Sequence, residues 1–248
     1  MAGHNKWSKI KHKKSVQDAR RSKIFSKIIK DITVAVKEGG SPDPAFNPRL
    51  RMAIANARGV NMPKENIERA IKKASDPSSQ AYIETTYEGY APGGVAIFIE
   101  CTTDNLNRTV SNIRAIFNKR GGSLAKSGSV EFLFERKGIF ILPLDGQDVE
   151  ELELELIDAG AEDIEVEDNE MTVTVDFADF GKMQQKLEEL GIQPKSAKIE
   201  RIPINTTKLP VDQALKALQL IEALEDDDDV QAVYHNLELT DELMAKLN

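Results

Sequence analysis

The sequence predicts a multidomain α+β protein: an N-terminal three-helix domain followed by two α/β domains, one of them ferredoxin-like. Three observations predict it. Apolar residues recur at helical spacing through the first 75 positions, the period shifts to strand-like alternation beyond position 80, and residues 138–204 carry the element order βαββαβ. The expected organisation is a basic arm and helical nucleic-acid-binding domain at 1–75, a discontinuous α/β domain from 80–137 plus 205–248, and the ferredoxin-like domain at 138–204. A length of 248 residues accommodates one to three domains with real cores.

Residues 2–14 read as a tail, with five Lys, two His, Trp7 and only Ile10 as a large aliphatic side chain. From Ser15 to about Glu38 the pattern is helical: Ile24, Phe25, Ile28, Ile29, Ile32 and Val36 share one face, and Arg20, Lys23, Lys27 and Lys30 cluster on roughly the opposite one. Gly39-Gly40 ends that helix. Asn47 is the expected N-cap and Pro48 the first residue of a second helix, with Leu50, Ala53, Ile54 and Ala57 inward and Gly59 as its stop. Pro63 opens a third, in which Ile67, Ala70, Ile71 and Ala74 repeat the pattern, and residues 75–80 (SDPSSQ) read as a linker.

Beyond the linker, TTYEGYAPGGVAIFIECTTD predicts two strands around Pro92-Gly93-Gly94. NLNRTVSNIRAIFNKRGG predicts a helix with Val110, Ile113 and Phe117 inward, and SVEFLFER a strand. In the ferredoxin-like stretch, GIFILPL, DIEVE, MTVTVD and AKIERIPI are strands, and DVEELELELIDAG and FADFGKMQQKLEELG are helices closed by Gly160 and Gly191. The end of the chain adds the helix PVDQALKALQLIEALE, an acidic turn and the strand VQAVYHNLEL. The 80–137 segment and this tail each make an incomplete sheet, so the two are expected to pair, with the ferredoxin-like unit inserted between them.

Charge is divided unequally. Residues 1–75 hold 18 Lys and Arg against 6 Asp and Glu, and residues 76–248 hold 15 against 35, so a formal net charge of −8 conceals a basic third and an acidic remainder. A basic end of this kind is the electrostatic footprint of a nucleic-acid binder. The candidate nucleic-acid-binding residues are Lys6, Trp7, Lys9, Lys11, His12, Lys13 and Lys14 in the arm, and Arg20, Arg21, Lys23, Lys27, Lys30, Arg49, Arg51, Arg58, Lys64, Arg69, Lys72 and Lys73 on the helices. Lysines neutralise phosphates with release of counterions, and Trp7 either stacks on an exposed base or docks on the protein's own surface. The bland alternative for the helices is a solvated surface, outweighed because three successive helices share the same excess. No helix-turn-helix spacing supports base-specific reading.

Other features carry ordinary readings. Tyr87, Tyr90, Pro92, Gly93 and Gly94 read first as turn chemistry and second as a loop touching a partner's backbone. The run Glu225-Asp226-Asp227-Asp228-Asp229 lacks calcium-loop spacing and reads as a solvated acidic turn. Cys101, the single cysteine, excludes an internal disulfide and reads as core rather than nucleophile. His4, His12 and His235 assemble no triad or metal set. No catalytic constellation, cofactor or metal is therefore expected. No apolar run reaches the roughly 18 residues of a membrane span. The first 14 residues, with one Ser and no Arg, do not resemble a mitochondrial presequence.

Four stretches carry a resemblance: AGHNKWSKIKHKK, NPRLRMAIANARGVNMPKENIERAIKKA, YEGYAPGGVAIFIECTTDNLNRT and GGSLAKSGSVEFLF. Together they resemble the YebC family, which includes the bacterial YebC/PmpR proteins and the mitochondrial translational activator of cytochrome oxidase. Ala91 stands where many members carry Gly. The resemblance implies three domains, one helical and two α/β, and a cytoplasmic bacterial protein, because the family motif begins at Ala2 and leaves no room for a presequence. It also implies a DNA-binding transcriptional regulator or, alternatively, a ribosome-associated translation factor that grips ribosomal RNA and relieves stalled peptide synthesis. The implied partners are DNA or ribosomal RNA, with the ribosome as a candidate and no membrane.

Overall fold

The computed structural model describes the backbone of residues 18–247 and the side chains of 21–247. Contacts divide these into two compact units. The first holds residues 18–27, 81–135 and 202–247; the second holds 28–80 and 136–201. Each is built on one four-stranded sheet.

In the first unit, strands β1 (Ile83–Ala91) and β2 (Val95–Thr103) pair antiparallel from Ile83↔Thr103 to Ala91↔Val95. The 3₁₀ turn Pro92–Gly94 joins them, with φ of 82° at Gly93 and 76° at Gly94. Both values lie in the left-handed region that favours glycine. Ala91 has an extended backbone (φ −81°), so this position does not demand glycine. Helix α4 (Leu106–Lys119), capped by the Asn105 side chain on the Arg108 N–H, leads to the short strand β3 (Ser123–Ala125) on the free side of β1. Helix α7 (Val211–Glu225) precedes β8 (Val230–His235), which lies antiparallel on β2 and completes the order β3-β1-β2-β8. The segments around 80–137 and 205–248 thus share one sheet.

Alternation along β2 serves two cores, because successive side chains leave opposite faces of a strand. Ile97, Ile99 and Cys101 pack with Ile113, Phe117, Leu218, Ile221 and Leu224 of α4 and α7. Ala96 and Phe98 pack on the other face with Val130, Phe134 and Tyr234. Tyr87 and Tyr90 lean on these two clusters respectively, and burial pushes the Tyr87 phenol's pKa up.

The second unit joins the ferredoxin-like sheet to the helical segment 28–80. Strand β4 (Phe134–Pro143), helix α5 (Val149–Asp158), β5 (Ala161–Glu167), β6 (Glu170–Asp176), α6 (Phe180–Glu189) and β7 (Ser196–Pro203) give the order β5-β6-β4-β7, with the first and third strands of the motif central. Asp168 and Asn169, at φ 50° and 62°, make the tight β5–β6 turn. Phe140, Leu142, Leu156, Met171, Val173, Val175, Met183 and Leu187 form the core.

Helix α1 (Asp18–Glu38) crosses the boundary between the units along the chain, and Ile32 to Val36 are all buried. Helix α2 (Pro48–Gly59) begins at Asn47, whose buried side chain accepts from the Leu50 N–H (3.0 Å) and donates to the carbonyls of Ala35 (2.7 Å) and Ser41 (2.8 Å). One residue therefore caps α2 and ties it to α1. Met52 of α2 packs against the ferredoxin-like core. Helix α3 (Lys64–Ala74) follows, and Ile67, Ala70 and Ala74 are its buried residues, with Ile71 only half-buried.

Gly59 does not stop α2; it is the last helical residue, and Asn61 makes the left-handed turn at φ 57°. A Cβ at Gly59 would lie 1.8 Å from the Lys195 carbonyl oxygen, so glycine is there for close approach of α2 to the β7 entry. Asn56 completes that docking, donating to the Ala197 carbonyl (3.0 Å) and accepting from its N–H (2.9 Å). SVEFLFER is not a separate strand: Glu131–Leu133 is a 3₁₀ turn, and Phe134 already begins β4. The cause is Glu88, 2% exposed, whose carboxylate accepts the N–H groups of Gly128 (2.6 Å), Val130 (2.6 Å) and Glu131 (3.0 Å), donors a strand would have used in a ladder. VQAVYHNLEL leaves the sheet at His235, because the Asn236 side chain takes the Ala96 N–H (2.8 Å) and the His235 Nδ1 takes the Leu237 N–H (3.2 Å). An additional helix, α8 (Asp241–Leu247), follows, anchored by buried Leu243.

The 75–80 segment is an ordered turn rather than a bare linker. Ser78 donates its hydroxyl (2.7 Å) and its N–H (2.8 Å) to Asp76, and these bonds, helped by Lys37, hold that carboxyl's pKa below its ordinary value.

Replacing Glu88 by Ala leaves three donors of the 128–131 turn without their acceptor and should lower unfolding free energy by about 3 kcal/mol in urea titration. Gly59→Ala should cost about 2 kcal/mol by the same measurement, because the obstructing atom is backbone.

Candidate nucleic-acid interface

Lys6, Trp7, Lys9, Lys11, His12, Lys13, Lys14 and the Arg20 side chain lie outside the described residues. The remaining candidates fall into two groups: cations held by the protein itself and cations left to solvent.

The basic side of α1 meets the acidic run after α7. The Lys23 ammonium donates to the Asp226 carbonyl (2.9 Å) and reaches its carboxylate (3.3 Å), and Lys27 donates to the Glu225 carbonyl (2.8 Å). Gln231 donates from below to the Lys27 carbonyl (3.2 Å). Arg21 lies over the Phe25 ring at 5.7 Å and is exposed. Lys30 is half-buried.

The acidic run is consequently not a simple solvated turn. Asp229 is buried and receives the Arg108 guanidinium (2.8 Å) and the Thr109 hydroxyl (2.9 Å). Hydrogen bonds to Asp229 and then Asp104 push the Arg108 pKa above its ordinary value. Asn112 donates to Asp227 (3.2 Å). One end of the run is therefore anchored on α4, and the other faces the lysines of α1. The Arg108–Asp229 pair spans 121 positions, so no local pattern announces it.

In the second unit, Arg49 pairs with Glu38, and Arg51 is turned onto the carbonyls of Pro44 (2.8 Å) and Ala45 (3.0 Å) and towards Glu188 (3.4 Å). Lys64 pairs with Glu68 one turn along α3 (3.6 Å). The side chains of Arg58, Arg69, Lys72 and Lys73 are exposed and have no ion-pair or hydrogen-bond partner among the described residues. Arg69, Lys72 and Lys73 stand at i, i+3 and i+4, so they share one exposed face of α3. Three unneutralised cations on one rigid helical face can bind successive phosphates without first breaking internal contacts. Beside Arg58 is a cavity of about 600 Å³ floored by Met52, Ile54, Leu187 and Ile192 and rimmed by Arg51, Glu188 and Lys195.

Among the described residues, no group of three or more His, Cys, Asp or Glu side chains could hold a metal ion. Cys101 is buried in the first core, and no described helix is long and apolar enough to cross a membrane.

The fold and the basic helices define an α+β multidomain protein with a helical N-terminal part. Residues 5–77 match the model of the TACO1/YebC protein N-terminal domain, and residues 82–237 match that of the TACO1/YebC second and third domain. A relative from Amoebophilus asiaticus named "Probable transcriptional regulatory protein" is 53% identical over 96% of this chain and 98% of its own. One of the same name from Geotalea uraniireducens is 50% identical over the whole of both chains. The crystal structure of a conserved hypothetical protein, Aq1575, from Aquifex aeolicus superposes with a TM-score of 0.79 at 44% identity, covering 92% of this chain and 94% of that one. The chain belongs to the TACO1/YebC family.

The two classes of cation predict different mutational outcomes. Replacing Arg69, Lys72 and Lys73 by Glu should weaken binding to DNA or RNA at least tenfold in a fluorescence-anisotropy titration with little change in stability. Replacing Lys23 and Lys27 by Ala should weaken binding less and lower stability by up to about 1 kcal/mol, because Asp226 is exposed and the Glu225 carbonyl is only half-buried.

Proposed function

We propose that this protein is a nucleic-acid-binding regulator of gene expression, acting on transcription through DNA in the cytoplasm. The observation that carries the reading is the exposed face of Arg69, Lys72 and Lys73, three cations whose side chains have no partner among the described residues, in a chain whose first 75 residues are strongly basic. The name "Probable transcriptional regulatory protein" borne by full-length relatives favours transcription over translation.

In this reading α3 offers a preformed phosphate-binding face, and the arm of Lys6, Lys9, Lys11, Lys13 and Lys14 adds further neutralising charge. Phosphate contacts set position and orientation without conveying sequence. Any base discrimination then rests on a small number of additional contacts, for which Trp7 and His12 are the candidates in the arm. The function requires no cofactor and no catalytic group, and the protein acts as a binder rather than an enzyme.

The deciding experiment is ultraviolet crosslinking in living cells with identification of the attached polymer. Discrete promoter DNA supports the proposal. Ribosomal RNA as the dominant product overturns the transcriptional reading and makes the protein a translation factor. Replacing Lys9, Lys11, Lys13 and Lys14 by Glu should abolish binding while leaving the unfolding midpoint unchanged, and unchanged affinity would remove the arm from the interface.

A further inference from the structure

Three segments converge at one end of the first unit's sheet. The Pro92–Gly94 turn packs against α7. A Cβ at Gly93 would lie 2.6 Å from the Leu209 side chain, and one at Gly121 would lie 3.8 Å from the Pro92 ring. At Gly122 a Cβ would meet the Tyr90 carbonyl at 2.6 Å and Leu220 at 2.5 Å. Glycine therefore lets the β1–β2 turn, the end of α4 and the approach to α7 close on one another. Gly93, Gly94 and Gly121 are exposed with φ between 72° and 82°, and a Cβ at Gly94 would meet nothing within 4 Å.

The chemistry next to these segments in the chain is cationic. Lys119 and Arg120 end α4 just before Gly121, and Lys208 precedes Leu209; their side chains are exposed and have no ion pair or hydrogen bond among the described residues. Helix α7, 15 residues long, starts here at Pro210 without a side-chain cap. A helix start presents unsatisfied N–H groups and a partial positive charge. Asp212 is the acidic residue in that first turn. Residues 76–248 hold 15 cations against 35 anions, so these three cations oppose the net sign of the segment that carries them. Exposed glycine backbone permits the close approach of a phosphate that side chains elsewhere prevent.

We propose that this tip is a second contact site for the phosphodiester backbone of the nucleic acid, separate in sequence from the basic arm and helices. Lys119, Arg120 and Lys208 neutralise phosphates, the start of α7 adds its dipole, and the Gly93-Gly94 and Gly121 backbones admit the chain. The site rests on the nucleic-acid reading above and extends it to a part of the protein whose overall charge argues against it.

The test replaces Lys119, Arg120 and Lys208 by Ala in the full chain. Binding to a DNA duplex and to a single-stranded RNA, both of random sequence, is titrated across salt concentrations beside the wild type and the arm variant. The expected result is affinity at least tenfold weaker and a logarithmic salt slope shallower by about 2, since each phosphate contact contributes roughly 0.7–0.9. The unfolding midpoint should match the wild type, because none of the three side chains has a partner to lose among the described residues. Affinity and slope equal to wild type, with the arm variant still defective, would overturn the tip and leave the proposed function standing. A wild-type chain that binds neither polymer would overturn both. Binding of the wild type to anionic phospholipid vesicles, lost in the triple variant while nucleic-acid binding persists, would assign the cations to a lipid surface and overturn the proposal.

Discussion

Burial of β2 on both faces is the constraint on which the first unit depends. VAIFIECTT has almost no exposed side chain, so it cannot be an edge and must be covered on each side and paired along each edge. Pairing with β1 is local, achieved by a three-residue turn. Pairing with β8 brings in a segment about 130 positions away and with it α7, whose leucines fill the core beneath Ile97 and Ile99. The long excursion through the ferredoxin-like motif is compatible with this because a strand pair tolerates any length of chain between its members, at a closure cost that grows only slowly.

The second organising principle is the disposition of charge. The chain's cations are abundant, but the fold divides them. Lys23, Lys27, Arg49, Arg51 and Lys64 are held by carbonyls or carboxylates of the protein, whereas Arg58, Arg69, Lys72 and Lys73 are left to solvent. The acidic run at 225–229 serves two roles in this division. Asp229 turns inward to Arg108 and Thr109, and Glu225 and Asp226 turn outward to α1. The carbonyls of Glu225 and Asp226 and the Asp226 carboxylate thus hold the basic side of α1. A count of Lys and Arg overstates the number of cations left to solvent for this reason.

Buried polar groups link the stretches that carry the family resemblance. Glu88, in YEGYAPGG, binds the backbone of SGSVEF, so two motifs separated by about 40 positions form one structural feature. Asn47 and Asn56, in the N-terminal motif, bind backbone of α1 and β7. In each case a side chain replaces a backbone partner that secondary structure does not supply, which is why these particular backbone groups remain satisfied.

The sequence by itself determined the elements whose signals are local. Helical periodicity with Asn47-Pro48 placed α2, the Pro-Gly-Gly turn placed the β1–β2 hairpin, and the βαββαβ order defined the ferredoxin-like sheet. These are set by backbone preference and by the spacing of apolar residues, both readable within a few turns or strand lengths. The tertiary structure decided what depends on a distant partner. It alone showed that SVEFLFER yields its donors to Glu88, that Gly59 serves contact with Lys195 rather than termination, and that Lys23 and Lys27 meet acidic residues some 200 positions away. The physical reason is common to all three: a hydrogen bond, a close approach or an ion pair is fixed by where two groups lie in space, and their spacing along the chain carries no record of it.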